Sequence, residues 1–366
     1  MKGFVMKENE KLLFKALCKF KNDFKDPSLI EFASPAVLGH LFFNRMQGIA
    51  YDTLKKNGFL GKVNREFRNS LGAAFDQNAK KNESFRQCVS MLSDLLSAVD
   101  CKVAMLKGAY LCNHYPDGYR TSNDVDLLVS PKDVTKIGNL LLGAGFKQGN
   151  IRNREFVPAT RQEIIESKMM RGETVPYILE VGLPFMRFFE VDINFSLDYK
   201  NSDADILSDM LSKVCIKAEK DISIPTLCDE DFFIHLCAHL YKEATTLPWI
   251  EMRRDMTLYK YCDIYMLLSE MSDEKLDRIF ERAYALGMEK ICAYCILETM
   301  DLFDMNNKLA HDRATSALVG DTDFCLKVIS PKDKKNLIYK TASATERFFM
   351  SSRADDLKEV NVNEKA

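Results

Sequence analysis

The 366-residue chain has no apolar run approaching the length of a membrane span, so no membrane-embedded fold is expected. Its opening residues, Met1-Lys2-Gly3-Phe4-Val5-Met6-Lys7-Glu8, hold no long apolar segment of the secretory-signal kind, and a cytoplasmic location is the expectation. An excess of charge of either sign is missing too, because 51 Lys and Arg face 53 Asp and Glu for a formal net charge of -2. That balance disfavours a binder of long nucleic acid, which needs clustered cations for the phosphates. Lysines and arginines do collect between Lys55 and Lys81, where they read as a solvated helical face. There is no internal repeat.

A disulfide framework is also absent. The eleven cysteines are scattered through apolar segments, as expected of reduced, buried thiols. Cys292 and Cys295 have redox spacing, but they sit in the apolar stretch Ile291 to Leu297, where core packing is the expectation. His235 and His239 lie one helical turn apart. They lack the Glu of His-Glu-x-x-His and any clear third ligand, so packing at a helix interface is expected before zinc.

Residues 8 to 99 read mainly as helices, with Phe85, Cys88, Leu92, Leu95, Leu96 and Val99 at helical spacing. Val103 to Leu106 reads as the first strand, Ala109 to Tyr115 as a short helix, and Pro116-Asp117-Gly118 as a turn. Ser130-Pro131 predicts a helix start and Gly143-Ala144-Gly145 its end. Phe146 opens another strand, residues 150 to 176 read as a flexible or substrate-facing insert, and Tyr177–Val181 and Phe188–Phe195 as two strands. From Asp229 the pattern is helical again, and the charged segment from Ala354 reads as a frayed tail.

Within this frame one stretch carries chemistry. Asn123-Asp124-Val125-Asp126-Leu127-Leu128-Val129 alternates two aspartates with apolar residues, a strand pattern. On a strand residues i and i+2 share a face, so Asp124 and Asp126 project side by side. Aspartate is depleted in strands, which makes a plain solvated pair a poor account of this placement. Paired carboxylates suit a hard divalent cation such as Mg2+, commonly shared with substrate phosphates. Asp192, flanked by Val191 and Ile193, is the best candidate for a third acid; Glu180 and Glu190 lie on the neighbouring candidate strands.

Leu106-Lys107-Gly108, Tyr115-Pro116, Arg120, Asp124 to Val129 and Gly145-Phe146 together resemble an uncharacterised bacterial nucleotidyltransferase family of the DNA polymerase β-like superfamily. The resemblance extends over roughly residues 30 to 300, taking in His235, His239 and Tyr261 to Ile264, although only the central block is specific. The superfamily usually carries Gly-Ser or Gly-Gly where this chain has Lys107-Gly108, a departure that the resembling family shares.

The resemblance implies an α+β fold, with a small mixed sheet flanked by N-terminal and C-terminal helical regions. The expected segments are 1–99 helical, 100–200 nucleotidyltransferase core, 201–350 helical and 351–366 charged tail. It implies transfer of a nucleoside monophosphate from an NTP to an acceptor hydroxyl with Mg2+, or Mn2+ in its place. Asp124 and Asp126 would bind both ions and Asp192 the one near the acceptor, taking part in its deprotonation. Lys107, Gly108 and Arg120 would bind the nucleotide, the glycine by admitting backbone amides and the cations by offsetting phosphate charge. The segment His235 to Glu243 is expected to line one wall of the acceptor or base pocket. The charge balance favours a small-molecule or protein acceptor over long RNA. The competing expectation is a non-catalytic binding module on the same fold.

Overall fold

The computed structural model describes residues 6–19, 24–197, 204–331 and 335–360. The chain folds as two compact units, residues 74–232 and residues 1–73 with 233–366. It is an α+β fold whose principal sheet is mixed.

In chain order the first elements are helices α1 (Glu8–Leu17), α2 (Pro35–Phe43), α3 (Gln47–Lys56) and α4 (Arg65–Ser97). Then come β1 (Val103–Met105), α5 (Gly108–His114), β2 (Asp124–Val129), α6 (Val134–Gly143), β3 (Lys147–Arg152) and β4 (Glu155–Pro158). They are followed by α7 (Arg161–Arg171), β5 (Tyr177–Leu183), β6 (Met186–Asn194), α8 (Ala204–Ser212), β7 (Cys215–Glu219) and β8 (Ile222–Thr226). The last stretch holds α9 (Asp229–Ala244), α10 (Leu247–Glu251), α11 (Leu258–Glu270), α12 (Asp273–Ala285), α13 (Glu289–Phe303) and α14 (Lys308–Ala317). It ends with β9 (Lys327–Ile329), β10 (Asn336–Tyr339), α15 (Ala344–Phe349) and β11 (Leu357–Glu359).

The six-stranded sheet of the 74–232 unit runs β1-β2-β6-β5-β3-β4. β2 and β6 are parallel and the other neighbours antiparallel. Its apolar face is built by alternation: Val125, Leu127 and Val129 on β2 and Phe189, Val191 and Ile193 on β6 are fully buried. Phe85, Val89 and Leu92 of α4, Ala109 and Cys112 of α5, and Ile137 and Leu141 of α6 close the same core. A sheet with helices packed on one face leaves the intervening strand positions for polar side chains.

Several expectations are corrected. The insert at 150–176 is ordered as the β3–β4 hairpin and α7, whose start is closed by a capping box between Thr160 and Glu163. Apolar periodicity is weak there because the hairpin and α7 are largely solvent-facing. Pro131–Asp133 forms a 3-10 turn before α6, and Ser130 makes no capping bond. The β7–β8 hairpin was not expected; its alternation is short and interrupted by Lys217, Glu219 and Lys220. Residues 354–359, read as frayed, form a 3-10 turn and β11, which pairs with β10; residues 361–366 lie outside the described residues.

The unit of residues 1–73 and 233–366 is mainly helical, with a three-stranded sheet β11-β10-β9. Two ion pairs are buried in it, Arg347 with Glu298 and Arg353 with Asp255, the second bidentate at 2.6 and 2.6 Å. Cys292 and Cys295 are free, fully buried core residues. Hydrogen bonding to Cys237 and then burial push the Cys292 thiol up, and burial raises Cys295, the opposite of a redox pair.

Candidate active site

Asp124 and Asp126 occupy the polar positions of β2, while Glu190, Asp192 and Asn194 occupy those of β6. Parallel register sets Asp124 beside Glu190 and Asp126 beside Asp192. Four carboxylates, paired across 66 residues of chain, are therefore neighbours on one face. Sheet neighbours sit roughly 4.8 Å apart, close enough for like charges to repel strongly unless a cation intervenes.

The electrostatics follow that crowding. Burial first, then the charges of Asp126, Asp124, Glu173 and Glu190, push Asp192 from 3.8 up to about 8. Burial and the Asp124 charge likewise raise Glu190. Asp124 behaves in the opposite way although it stands in the same cluster. The surrounding protein pushes it up, but the Ser122 hydroxyl, 2.6 Å away, and the charges of Lys107 and Arg120 outweigh that and hold it below its ordinary value. Its side chain still reaches solvent. Asp126 accepts from Asn194 Nδ2 at 3.3 Å and pairs with Lys107 Nζ at 3.3 Å. Both partners of that ion pair are less than one-fifth exposed.

The loop before α5 holds Lys107 at φ +44°, a backbone region that ordinarily favours glycine. Gly108 follows because a Cβ there would come within 2.8 Å of Ser122 Oγ and 2.9 Å of its Cβ. The space a side chain would fill is thus taken by the hydroxyl that holds Asp124. Helix α4 fixes the loop leading into β2: Asn78 donates to the Gly118 carbonyl, Asn82 to the Arg120 carbonyl, and Asn82 Oδ1 accepts from the Gly118 amide. Arg120 donates to the Thr121 carbonyl at 2.6 Å, which leaves its charge bearing on Asp124.

The structure so brings Lys107, Arg120, Asp124, Asp126 and Asp192 into one neighbourhood, with Gly108 beneath Ser122. Glu180 is engaged elsewhere, in an exposed ion pair with Arg187 at 2.8 Å. Ser122 and Asn194, each two residues from a site aspartate, were readable from period-two alternation but were not singled out. Glu173 had no sequence signal, because it joins the cluster through an isolated bridge to Asn194 and the Thr174 amide bond to the Ile193 carbonyl.

Beside Asp192 opens a cavity of about 760 Å³ lined by residues of β3, α7 and the segment 173–176. Among the described residues no group of three His, Cys, Asp or Glu side chains is placed to hold a metal ion by itself. His235 is buried, and His239 faces Glu243 at 3.4 Å. The donor set at β2 and β6 still suits Mg2+, which keeps waters and takes further oxygens from phosphate. An ionised Asp124 beside an Asp192 destabilised by like charge is a pair that a cation would relieve.

The family described as "Uncharacterised nucleotidyltransferase" matches residues 35–304, nearly three-quarters of the chain. No protein of curated function matches.

Proposed function

The chain belongs to this uncharacterised nucleotidyltransferase family, and on that premise we propose that it moves a nucleoside monophosphate from an NTP to an acceptor hydroxyl. The observation that carries the reading is the register of Asp126 with Asp192 across parallel strands, with Asp124 on the same face. Asp124, Asp126 and Asp192 would hold Mg2+, or Mn2+ in its place. When bound, the metal neutralises triphosphate charge and favours the deprotonated acceptor.

The remaining roles belong to side chains of the chain itself. Lys107 balances Asp126 at rest, and its ammonium would turn to the triphosphate where Asp126 served a divalent cation instead. Arg120 adds a second positive charge on the Asp124 side. Ser122 and Asn194 orient the two β2 carboxylates. In the transfer, the acceptor oxygen bonds to the α-phosphorus and the bond from that phosphorus to the bridging oxygen breaks. Pyrophosphate leaves, and the acceptor proton passes to Asp192 or to solvent. The near-neutral chain favours a small-molecule or protein acceptor over long RNA.

The test is a thermal-shift panel of ATP, GTP, CTP and UTP with Mg2+, run beside an Asp124→Asn, Asp126→Asn double variant. A nucleotide at one hundred times its dissociation constant adds about 2.7 kcal/mol of stability. A Mg2+-dependent shift with one or more NTPs, lost in the double variant, is expected. No shift with any NTP, or an equal shift in the variant, overturns the reading.

A further inference from the structure

Residues 115–123, which carry Arg120 and Ser122 into β2, form no helix or strand, and several of their backbone groups are met by α4. Along that helix Phe75, Asn78, Asn82 and Arg86 stand three or four residues apart and so share one face. A Cβ at Gly118, whose φ is +91°, would come within 2.6 Å of the Phe75 ring, which marks how closely the loop approaches the helix. Asn78 donates to the Gly118 carbonyl at 3.1 Å. Arg86 donates to Asn113 at 3.3 Å and to Asp117 at 2.7 Å, and this fixes where the loop leaves α5.

Asn82 does more than its neighbours on that face. It is 2% exposed, and both ends of its amide are used. Nδ2 donates to the Arg120 carbonyl at 2.6 Å, and Oδ1 accepts from the Gly118 amide at 3.0 Å. Asparagine is a weak helix former, so neither helix propensity nor apolar packing accounts for it in the interior of α4. Its two bonds satisfy buried loop groups that would otherwise lack a partner. They also pin the backbone of Arg120, whose guanidinium is braced one residue on, against the Thr121 carbonyl at 2.6 Å.

Resting on the nucleotidyl-transfer reading above, we infer that Asn82 is a positioning residue for the triphosphate: it acts through Arg120 and does not itself touch the nucleotide. A guanidinium held in place before binding gives up little freedom when it meets phosphate. A loop released from α4 must be ordered by the ligand, and affinity falls by that cost.

Tripolyphosphate with Mg2+, which presents the phosphates without a base, is titrated calorimetrically into the wild type and four variants. These are Asn82→Ala, Arg120→Gln, the double variant and Ser84→Ala. Ser84 is a second buried α4 residue, whose hydroxyl donates to the Pro184 carbonyl at 2.9 Å between β5 and β6. Asn82→Ala is expected to bind roughly three- to tenfold more weakly, part of one charge-assisted phosphate contact. In the Arg120→Gln background the same change should cost less than about twofold, the non-additivity of two residues acting as one. Ser84→Ala should melt lower and keep wild-type affinity, as a purely structural contact would. Asn82→Gln keeps both polar groups but displaces them by one methylene; it too should lose affinity, and it carries the same cycle where the alanine variant does not fold. Unchanged affinity in the Asn82 variants, an equal loss with and without Arg120, or no binding of tripolyphosphate by the wild type overturns the inference. Tripolyphosphate binding that depends on Asn82 in a protein with no NTP shift would sink the transferase reading and leave the positioning role standing. An NTP shift with wild-type affinity in the Asn82 variants would do the reverse.

Discussion

Replacing Asp192 with Asn should stabilise the 74–232 unit, by an amount that grows with pH. Burial and four neighbouring carboxylates raise Asp192 from 3.8 to about 8, so the native state holds a proton that the unfolded chain has released. Where the folded state binds the extra proton, stability falls as pH rises, by up to about 1.4 kcal/mol per unit. The loss starts near the unfolded value of 3.8 and ends near the folded value of about 8. Asn keeps the shape and cannot ionise. The variant should therefore match the wild type near the bottom of that window and exceed it by about 4 kcal/mol at neutral pH.

Hydrogen exchange of peptides spanning β2 and β6 in EDTA is the assay that isolates this unit. Tryptophan fluorescence would not, since the single tryptophan, Trp249, belongs to the other unit. Titrating groups distant from the cluster are common to both proteins and cancel in the difference, whereas the neighbouring carboxylates titrate together with Asp192. Mg2+ with a nucleotide should stabilise the wild type more as pH rises, because a bound cation favours the ionised carboxylate, and should do so far less for the variant. A difference between variant and wild type that does not change with pH would refute the crowding argument.

Three other outcomes follow from particular contacts. Truncating Arg353 to Ala strands the fully buried Asp255 carboxylate and should cost about 3–5 kcal/mol in urea unfolding followed at Trp249. An Asp255→Leu, Arg353→Met pair should recover most of it, and a neutral Arg353→Ala would sink the argument. Lys107→Gly and Lys107→Ala both delete the Asp126 ion pair, but only glycine relaxes φ +44°, so Gly should be the more stable by about 1 kcal/mol. Equal melting temperatures would deny the strain. Gly108→Ala places a Cβ 2.8 Å from Ser122 Oγ and should cost about 1–3 kcal/mol. Ser122→Gly in the same chain should restore most of that stability, and no restoration would locate the clash elsewhere.

Much of the central sheet was legible in the linear order of residues. Period-two alternation around Asp124 to Val129 and Phe188 to Phe195 marks half-buried strands, and Gly143-Ala144-Gly145 ends α6 within a residue. The order of the insert was not legible because the β3–β4 hairpin and α7 face solvent, and a surface element shows little apolar period to read. The β10–β11 pairing near the C-terminus was missed for a related reason: strands of four and three residues are too short to display alternation.

The sequence by itself determined that two aspartates share a strand face, because covalent spacing of two residues dictates it. It also determined that a glycine follows Lys107 and that the chain carries no charge excess. Only the tertiary structure decided that Asp126 lies opposite Asp192, since register between strands 66 residues apart is set by packing of Val125, Leu127, Val191 and Ile193 in one core. The same packing brought Glu173 into the cluster and set α7 at the edge of the cavity beside Asp192. Burial and charge proximity depend on distances through space, which the spacing of residues along a chain does not contain.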